Sequence, residues 1–497
     1  MSKKSAEISL AGMKISKDTE TPLYRQLYDQ FREMILDKRL RPGDRLPSTR
    51  SLSTETGISR TMITLSFEQL ILEGYLVGKP GSGTFVAGTV PDHLTLAGKS
   101  ATTRAKTKRR HFDLAKDVLP KEIISRNSNK EEIVPFQIGT PSLDLFPYRI
   151  WQQTGGQVLK KFKSFNLGYD DALGYWPLRQ EIAGYLRQAR AVKCETEQVI
   201  VVTGSQQGLN LIAECLLKKG DAVWMEDPGY HGAKFSFLNR GVKICPVPVE
   251  DDGLNISHAI KHCRGAKLAY VTPSHQFPLG VTLSLAKRLQ LLDWAKRKNM
   301  WILEDDYDSE FRYEGRPLAS LQGLDTEGCV IYSGTFSKVM YPGLRLAYLV
   351  LPSLEMVEEF KKVKAMMDRQ SPILDQIILS RFMSEGHFLR HLRKMRLLYD
   401  ERQQTFINAA KELVGNYLMI KPNAAGMNLT GWISKKIDLQ KLKTEIKKQG
   451  LAIPFIRDYA MEFFNPRGMM FGYTAFTKYK IRTGLEKLRS CFEKSLL

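Results

Sequence analysis

From about residue 131, short runs of β-branched and aromatic residues alternate with helical stretches, and this alternation limits the fold more than any other feature. The runs lie at residues 199–202, 222–225, 268–271, 301–303 and 330–332. Between two of them, Leu285, Arg288, Leu289, Leu292 and Ala295 recur at helical spacing behind the candidate cap Ser284. Strand-helix alternation predicts an α/β fold with a mostly parallel sheet covered on both faces. Ligands of such sheets bind at the carboxyl ends of the strands. A long helical stretch over residues 386–414 leads into a small α+β tail, with a helix near 438–449 and a last one after Tyr479.

The chain has 497 residues, too many for one core, so two or more domains are expected. No apolar run approaches the length of about 18 residues that a membrane helix needs. The first residues, Met1-Ser2-Lys3-Lys4, lack a signal-peptide core, and the six cysteines are scattered without a C-x-x-C pair. A cytoplasmic protein without disulfides or structural zinc is therefore expected. Net charge is +21, of which +9 falls in residues 1–130, where 23 Lys and Arg face 14 Asp and Glu. A basic excess of this kind suits a polyanion such as nucleic acid.

Three predicted strand ends carry chemistry. The strand at 330–332 runs into Ser333-Gly334-Thr335-Phe336-Ser337-Lys338, with Arg345 seven positions further on. A lysine just past a buried strand is open to desolvation, which lowers an amine's pKa toward nucleophilic range. Ser, Thr and Arg hold phosphates. Taken alone, Lys338 reads first as a surface lysine after a strand, and only the rest of the chain reverses that reading. The second end, Thr203-Gly204-Ser205-Gln206-Gln207-Gly208, opens a helix whose N–H groups suit a phosphate. The third is Glu304-Asp305-Asp306-Tyr307. A carboxylate there can keep a pyridine nitrogen protonated, and the tyrosine can bond a ring oxygen; a metal site or a helix cap are the alternatives. Together the three ends match what pyridoxal phosphate requires.

The N-terminal quarter has a different pattern. After a polar segment over residues 1–20, Thr21-Pro22 reads as a cap with proline at the first helical position, and Leu23, Leu27, Phe31 and Ile35 form one apolar face. A short helix follows Ser48. Ser59 caps a third, with Ile63, Phe67, Leu70 and Ile71 as its inner face. Two short strands flank the glycine-rich tip Gly78-Lys79-Pro80-Gly81-Ser82-Gly83. Three helices and a hairpin read as a winged helix-turn-helix, with a small protein-binding module as the alternative. The start of the third helix, Ser59, Arg60, Thr61 and Thr64, is where base edges are read. Arg45, Ser48 and Arg50 sit where phosphate contacts are usual, and Lys79, Gly81 and Ser82 form the wing tip.

The segments Pro22-Leu23-Tyr24-Arg25-Gln26-Leu27, Pro42-Gly43-Asp44-Arg45-Leu46-Pro47-Ser48 and Gly81-Ser82-Gly83-Thr84-Phe85-Val86 resemble the GntR family of bacterial regulators. The rest, including Gly139-Thr140-Pro141-Ser142, Glu226-Asp227-Pro228-Gly229-Tyr230 and Thr272-Pro273-Ser274-His275-Gln276-Phe277-Pro278-Leu279-Gly280, resembles fold-type I pyridoxal phosphate enzymes of the aminotransferase class. The combination is similar to the MocR/GabR-type regulators. Expected boundaries are residues 20–88 for the head, 89–130 for a basic flexible linker, and 131–497 for the body with its small C-terminal α+β subdomain.

The resemblance implies double-stranded promoter DNA as a partner, a head-to-tail homodimer, and an effector that is pyridoxal phosphate, an amine or an amino acid. It implies that Lys338 forms the Schiff base, Asp305 pairs with the pyridine nitrogen, and Tyr307 meets the ring oxygen. Tyr230 would flank the ring, and Ser205, Gln206, Ser333, Thr335 and Arg345 would hold the phosphate. Tyr169 would reach a partner's phosphate. Two departures stand out. Phe277 occupies the position of the asparagine expected before Pro278, which leaves His275 or Gln276 as replacements. Met470 stands where an arginine for the substrate carboxylate is expected, with Arg467 and Arg482 nearby but out of register. A regulator is therefore expected; a working aminotransferase with an accessory DNA-binding domain is the alternative.

Overall fold

A computed structural model describes residues 15, 21–88, 133–162, 168–313, 319–463 and 467–497. The basic run expected to be a linker lies outside the described residues. The chain divides into two compact units, Met1–Leu114 and Ala115–Leu497.

In the first unit, helix α1 (Leu23–Leu36) buries Leu27, Phe31, Met34 and Ile35. Its cap is Pro22 rather than Thr21, with no side-chain bond at the cap. Helix α2 (Thr49–Thr56) is capped by Ser48, whose hydroxyl accepts from Ser51 N–H, and Gly57 ends it at φ +69°. Helix α3 (Arg60–Leu72) is capped by Ser59. Phe31 and Phe67 meet edge to face at 5.4 Å, locking α1 against α3 around Leu52, Ile63 and Leu70. Ile71, expected in that inner face, is instead 39% exposed and packs toward the wing at Gly78, because a helix turns it about 100° away from Leu70. Strands β1 (Leu76–Lys79) and β2 (Gly83–Val86) pair antiparallel as the wing.

The second unit is built on an eight-stranded sheet. Its strands are β3 (Val199–Val202), β4 (Ala222–Asp227), β5 (Lys243–Glu250), β6 (Gly253–Leu254), β7 (Ala266–Val271), β8 (Trp301–Asp306), β9 (Val330–Thr335) and β10 (Ala347–Val350). The order is β3-β10-β9-β8-β7-β4-β5-β6. β4, β5, β7, β8 and β9 are mutually parallel, and β10 runs antiparallel between β9 and β3. The inner strands β9 and β10 are buried along their whole length, as expected of a sheet covered on both faces.

Among the helices of this unit are α4 (Trp176–Arg190), α5 (Ser205–Leu216), α6 (Leu285–Lys298) and α7 (His387–Val414). Ser284 caps α6 as expected, but its buried face is Arg288, Leu291, Trp294 and Ala295, while Leu285 and Leu289 are exposed. Beyond α7, strands β11 (Leu418–Ile420), β12 (Asn428–Ile433) and β13 (Gly468–Gly472) form a small antiparallel sheet. Helix α8 (Lys478–Glu493) closes the chain. No helix among the described residues is long and apolar enough to cross a membrane.

Candidate cofactor site and candidate DNA-binding face

The carboxyl ends of β3, β8 and β9 lead into the segments that the sequence singles out. Asp305 on β8 and Ser333 on β9 are direct register partners. Two residues earlier on each strand, Leu303 and Ile331 belong to one core cluster with Tyr270 and Val202. Period two therefore places Asp305 and Ser333 on that same face, and Glu304 and Asp306 on the other. Tyr270 Oη donates to Asp305 Oδ2 at 2.7 Å. Asp305 Oδ1 is buried with no hydrogen-bond partner. Burial pushes the Asp305 carboxyl up to about 6, against the Tyr270 hydrogen bond, which lowers it.

Lys338 follows β9 in a short helical turn, and its Nζ donates to the Gly139 carbonyl at 2.9 Å. Gly139 sits at φ +64°, a conformation that favours glycine, and the absence of a side chain leaves room for the Lys338 amine, which would lie 2.6 Å from a Cβ there. Asn428 Oδ1 on β12 accepts from Gly139 N–H and fixes the segment. Arg345 adopts a left-handed conformation at φ +53°, and its Nη2 would be 2.7 Å from a Cβ at Gly204. The guanidinium thus lies over the N-terminus of α5, where the N–H groups of Ser205 and Gln206 precede the intrahelical ladder. Thr335 is buried, and its Oγ1 accepts from Ser337 N–H at 3.2 Å. The Gln206 side chain turns away to the Gly232 carbonyl and Ser236 Oγ, leaving its main chain to the helix end.

Tyr307 Oη donates to the His275 carbonyl at 2.9 Å and lies 3.1 Å from His275 Nδ1. That imidazole also faces both oxygens of Asp308, and its Nε2 is buried without a partner. Gln276 is bound to the Pro228 and Phe277 carbonyls, so its amide braces the backbone. Phe277 meets Tyr230, Tyr307 and Tyr459 edge to face at 5.1–6.2 Å. Tyr169 lies apart, 85% exposed, with the Arg369 guanidinium 5.5 Å from its ring.

Tyr270, Gly139, Asn428 and Asp308 were missed as site residues by sequence reasoning. Gly139 had a signal, since it opens one of the matching segments. Met470 is buried on β13 opposite Thr430. Neither neighbouring arginine replaces the missing one: Arg467 donates to the Ser434 and Ile437 carbonyls, and Arg482 pairs with Glu412.

In the first unit, Arg45, Ser48, Arg50, Ser59, Arg60, Thr61, Lys79, Gly81 and Ser82 are all exposed to some degree. Ser48 and Ser59 cap their helices with the same hydroxyls, and Thr64 Oγ1 donates to the Arg60 carbonyl. The Arg45 guanidinium lies against Gly83, where a Cβ would come within 2.9 Å of Nε. Lys79 Nζ sits 5.1 Å over the Phe85 ring.

Pyridoxal phosphate fits this donor set. Asp305 Oδ1 is a buried acceptor with no donor, as a ring N–H requires. Gly204 and Arg345 shape a cradle that a side chain would fill. The Lys338 amine is present at the Gly139 carbonyl.

The comparisons with known proteins agree. Residues 136–454 match the family described as aminotransferase class I and II, and residues 23–86 match bacterial regulatory proteins of the gntR family. The chain is 36% identical to the probable rhizopine catabolism regulatory protein MocR of Rhizobium meliloti, over 96% of this chain and 95% of that one. It is 29% identical to the HTH-type pyridoxine biosynthesis transcriptional regulator PdxR of Corynebacterium glutamicum, over 94% and 95%. Among solved structures, α-aminoadipate aminotransferase LysN of Thermus thermophilus matches with a TM-score of 0.67 at 26% identity, covering 73% of this chain and 92% of that one.

Proposed function

The chain belongs to the MocR-type regulators, in which a gntR-family head precedes an aminotransferase class I and II body, and from that premise we propose that it is a cytoplasmic, pyridoxal phosphate-responsive regulator of transcription. The observation that carries the reading is the unpartnered, buried Asp305 Oδ1 in a body joined to a winged head. Boundaries at residues 20–88, 89–130 and 131–497 go with it.

When bound, the cofactor supplies an electrophilic aldehyde and an electron-withdrawing ring. Asp305 would hold a proton at the ring nitrogen, with Tyr270 orienting the carboxylate. Lys338, leaving the Gly139 carbonyl, would hold the aldehyde end. Arg345, Ser205, Thr335, Ser333 and the Gln206 N–H would hold the phosphate. Tyr307 and His275 would face the phenolic oxygen, and Tyr230 with Phe277 would exclude water from one side. Exposed Tyr169 suits a reach into a head-to-tail partner.

The head would dock α3 in the major groove through Arg60, Thr61 and Thr64. Ser59 would stand with them at the start of that helix, Arg45, Ser48 and Arg50 would meet phosphates, and Lys79, Gly81 and Ser82 would place the wing. Ligand binding to the body would shift the geometry of two heads on one operator. Met470 and the engaged Arg467 and Arg482 remove the carboxylate clamp of an aminotransferase, which leaves at most a slow half-reaction. The effector is then pyridoxal phosphate itself or an amine without an α-carboxylate. The regulated genes would serve synthesis of the cofactor or catabolism of the amine.

The test is electrophoretic mobility of the DNA upstream of the chain's own gene, with and without pyridoxal phosphate. A shift that responds to the cofactor in wild type, and not in Lys338→Ala, is expected. No DNA binding under either condition overturns the proposal.

A further inference from the structure

A cavity lies in the body beside the Arg190–Asp306 ion pair. It occupies about 350 Å³ between the end of α4, the chain after β8 and the start of α7. Four arginines line it: Arg190, Arg312, Arg393 and Arg396. Arg190 is engaged below, paired with Asp306 at 2.7 Å. Arg396 donates Nε to the Glu310 carbonyl at 3.0 Å, which holds it at the wall without neutralising its charge. Arg393 is exposed at the rim.

Two donors in this lining are buried without a hydrogen-bond partner, Ser309 Oγ and Arg312 Nε. Ser309 is only 8% exposed. Leaving such donors unpaired costs about 1–3 kcal/mol each, so their retention in one cavity points to an acceptor that enters it. The one lining carboxylate is Glu310, whose Oε1 accepts from Tyr185 Oη at 3.1 Å. Burial pushes that carboxyl upward, so it holds less of the negative charge that would otherwise satisfy the arginines.

We propose that this cavity is a binding site for a phosphate group, held by Ser309, Arg312, Arg393 and Arg396. Guanidinium and hydroxyl donors arrive from two separate segments, an arrangement suited to a tetrahedral oxyanion; a lone carboxylate needs only one arginine fork. Occupancy would be felt at the cofactor segments. Arg190, on the cavity floor, also donates to Ser274 at 2.8 Å, next to His275, and Asp306 adjoins Asp305 on β8. The site is thus separate from the cofactor cradle and coupled to it through one ion pair.

Equilibrium dialysis of the full chain against radiolabelled inorganic phosphate tests this, in low-chloride buffer and with pyridoxal phosphate saturating its own cradle. One saturable site is expected. Ser309→Ala and Arg312→Gln should each weaken it about tenfold or more, the usual effect of losing a charge-assisted bond. Arg393→Ala should weaken it too, and its exposed position keeps the fold intact. Competition by glycerol phosphate separates two sources of the same chemistry. Tighter binding of the ester supports a phosphorylated metabolite, and equal binding supports free phosphate. Absence of a saturable site, or an affinity unchanged in all three variants, overturns the proposal.

Discussion

Replacing Asp305 by Asn separates the two roles proposed for this carboxylate. In the cofactor-free chain its carboxyl is raised from 3.8 to about 6 by burial, with Asp306 and Asp308 adding repulsion. A raised carboxyl destabilises the folded state in its charged form. The penalty is absent below pH 4 and complete above pH 6, where a shift of about two units amounts to about 3 kcal/mol. Asparagine still accepts from Tyr270 but carries no charge, so this pH dependence should vanish in the variant. Between pH 5 and pH 8, cofactor-stripped wild type should lose about 1–2 kcal/mol relative to Asp305→Asn in chemical denaturation. Cofactor affinity should move the other way. Losing a charged hydrogen bond to the ring nitrogen should raise the dissociation constant about 10–100-fold in an absorbance titration. A variant that binds the cofactor as wild type does, or whose stability tracks wild type at every pH, would refute the reasoning.

Lys338→Ala should abolish borohydride-fixed cofactor mass on the peptide that carries this position while leaving DNA affinity without cofactor unchanged, as read by mass spectrometry and mobility shift. Arg345→Ala should weaken cofactor binding by about tenfold or more, since the guanidinium over Gly204 would be gone. Lys79→Ala should weaken DNA binding about equally across sequences and lower the salt slope by about one, whereas Arg60→Ala should also relax sequence preference. Phe31→Ala should destabilise the head by about 3–5 kcal/mol, because Phe31 is fully buried against Phe67, and thermal denaturation of the chain will show it.

Much of the body was legible because its strands are buried on both faces and end at chemically unusual residues. Val199–Val202 and the first half of β9, residues 330–332, are read directly from continuous apolar runs, whereas the strand runs on through Ser333, Gly334 and Thr335. Lys243–Glu250 was not legible, because Pro246 and Pro248 interrupt it and prolines argue against strands. Ala347–Val350 was missed because it follows the phosphate segment directly and runs antiparallel, outside the strand-helix rhythm. Helix faces were less certain than helices: Ile71 and Leu289 have the right type at nearly the right spacing, yet a single step of rotation exposes them. In the site, the residues following strands were legible, whereas Gly139 and Asn428 were not as partners. They are 289 positions apart in sequence, and only tertiary packing brings them to Lys338.

The acidic run on β8 shows why an orphan atom there has meaning. All three carboxylates are buried, so each needs compensation. Glu304 accepts from the N–H groups of Leu321 and Gln322. Asp306 has Arg190 and the Tyr332 hydroxyl. Both lie on the face away from the cofactor segments, and the protein satisfies them itself. Asp305, alternating onto the opposite face, receives one hydrogen bond and no cation. If the run served only to hold the sheet together, the same compensation would be expected at all three positions. The deficit falls on the single carboxylate level with Ser333, in the strand beside the one that leads to Lys338, which supports the proposal that its missing partner is a ligand atom. The same logic supports the anion proposed for the unpaired Ser309 and Arg312 donors, and Arg190, which lines that cavity and pairs with Asp306, would couple the two deficits.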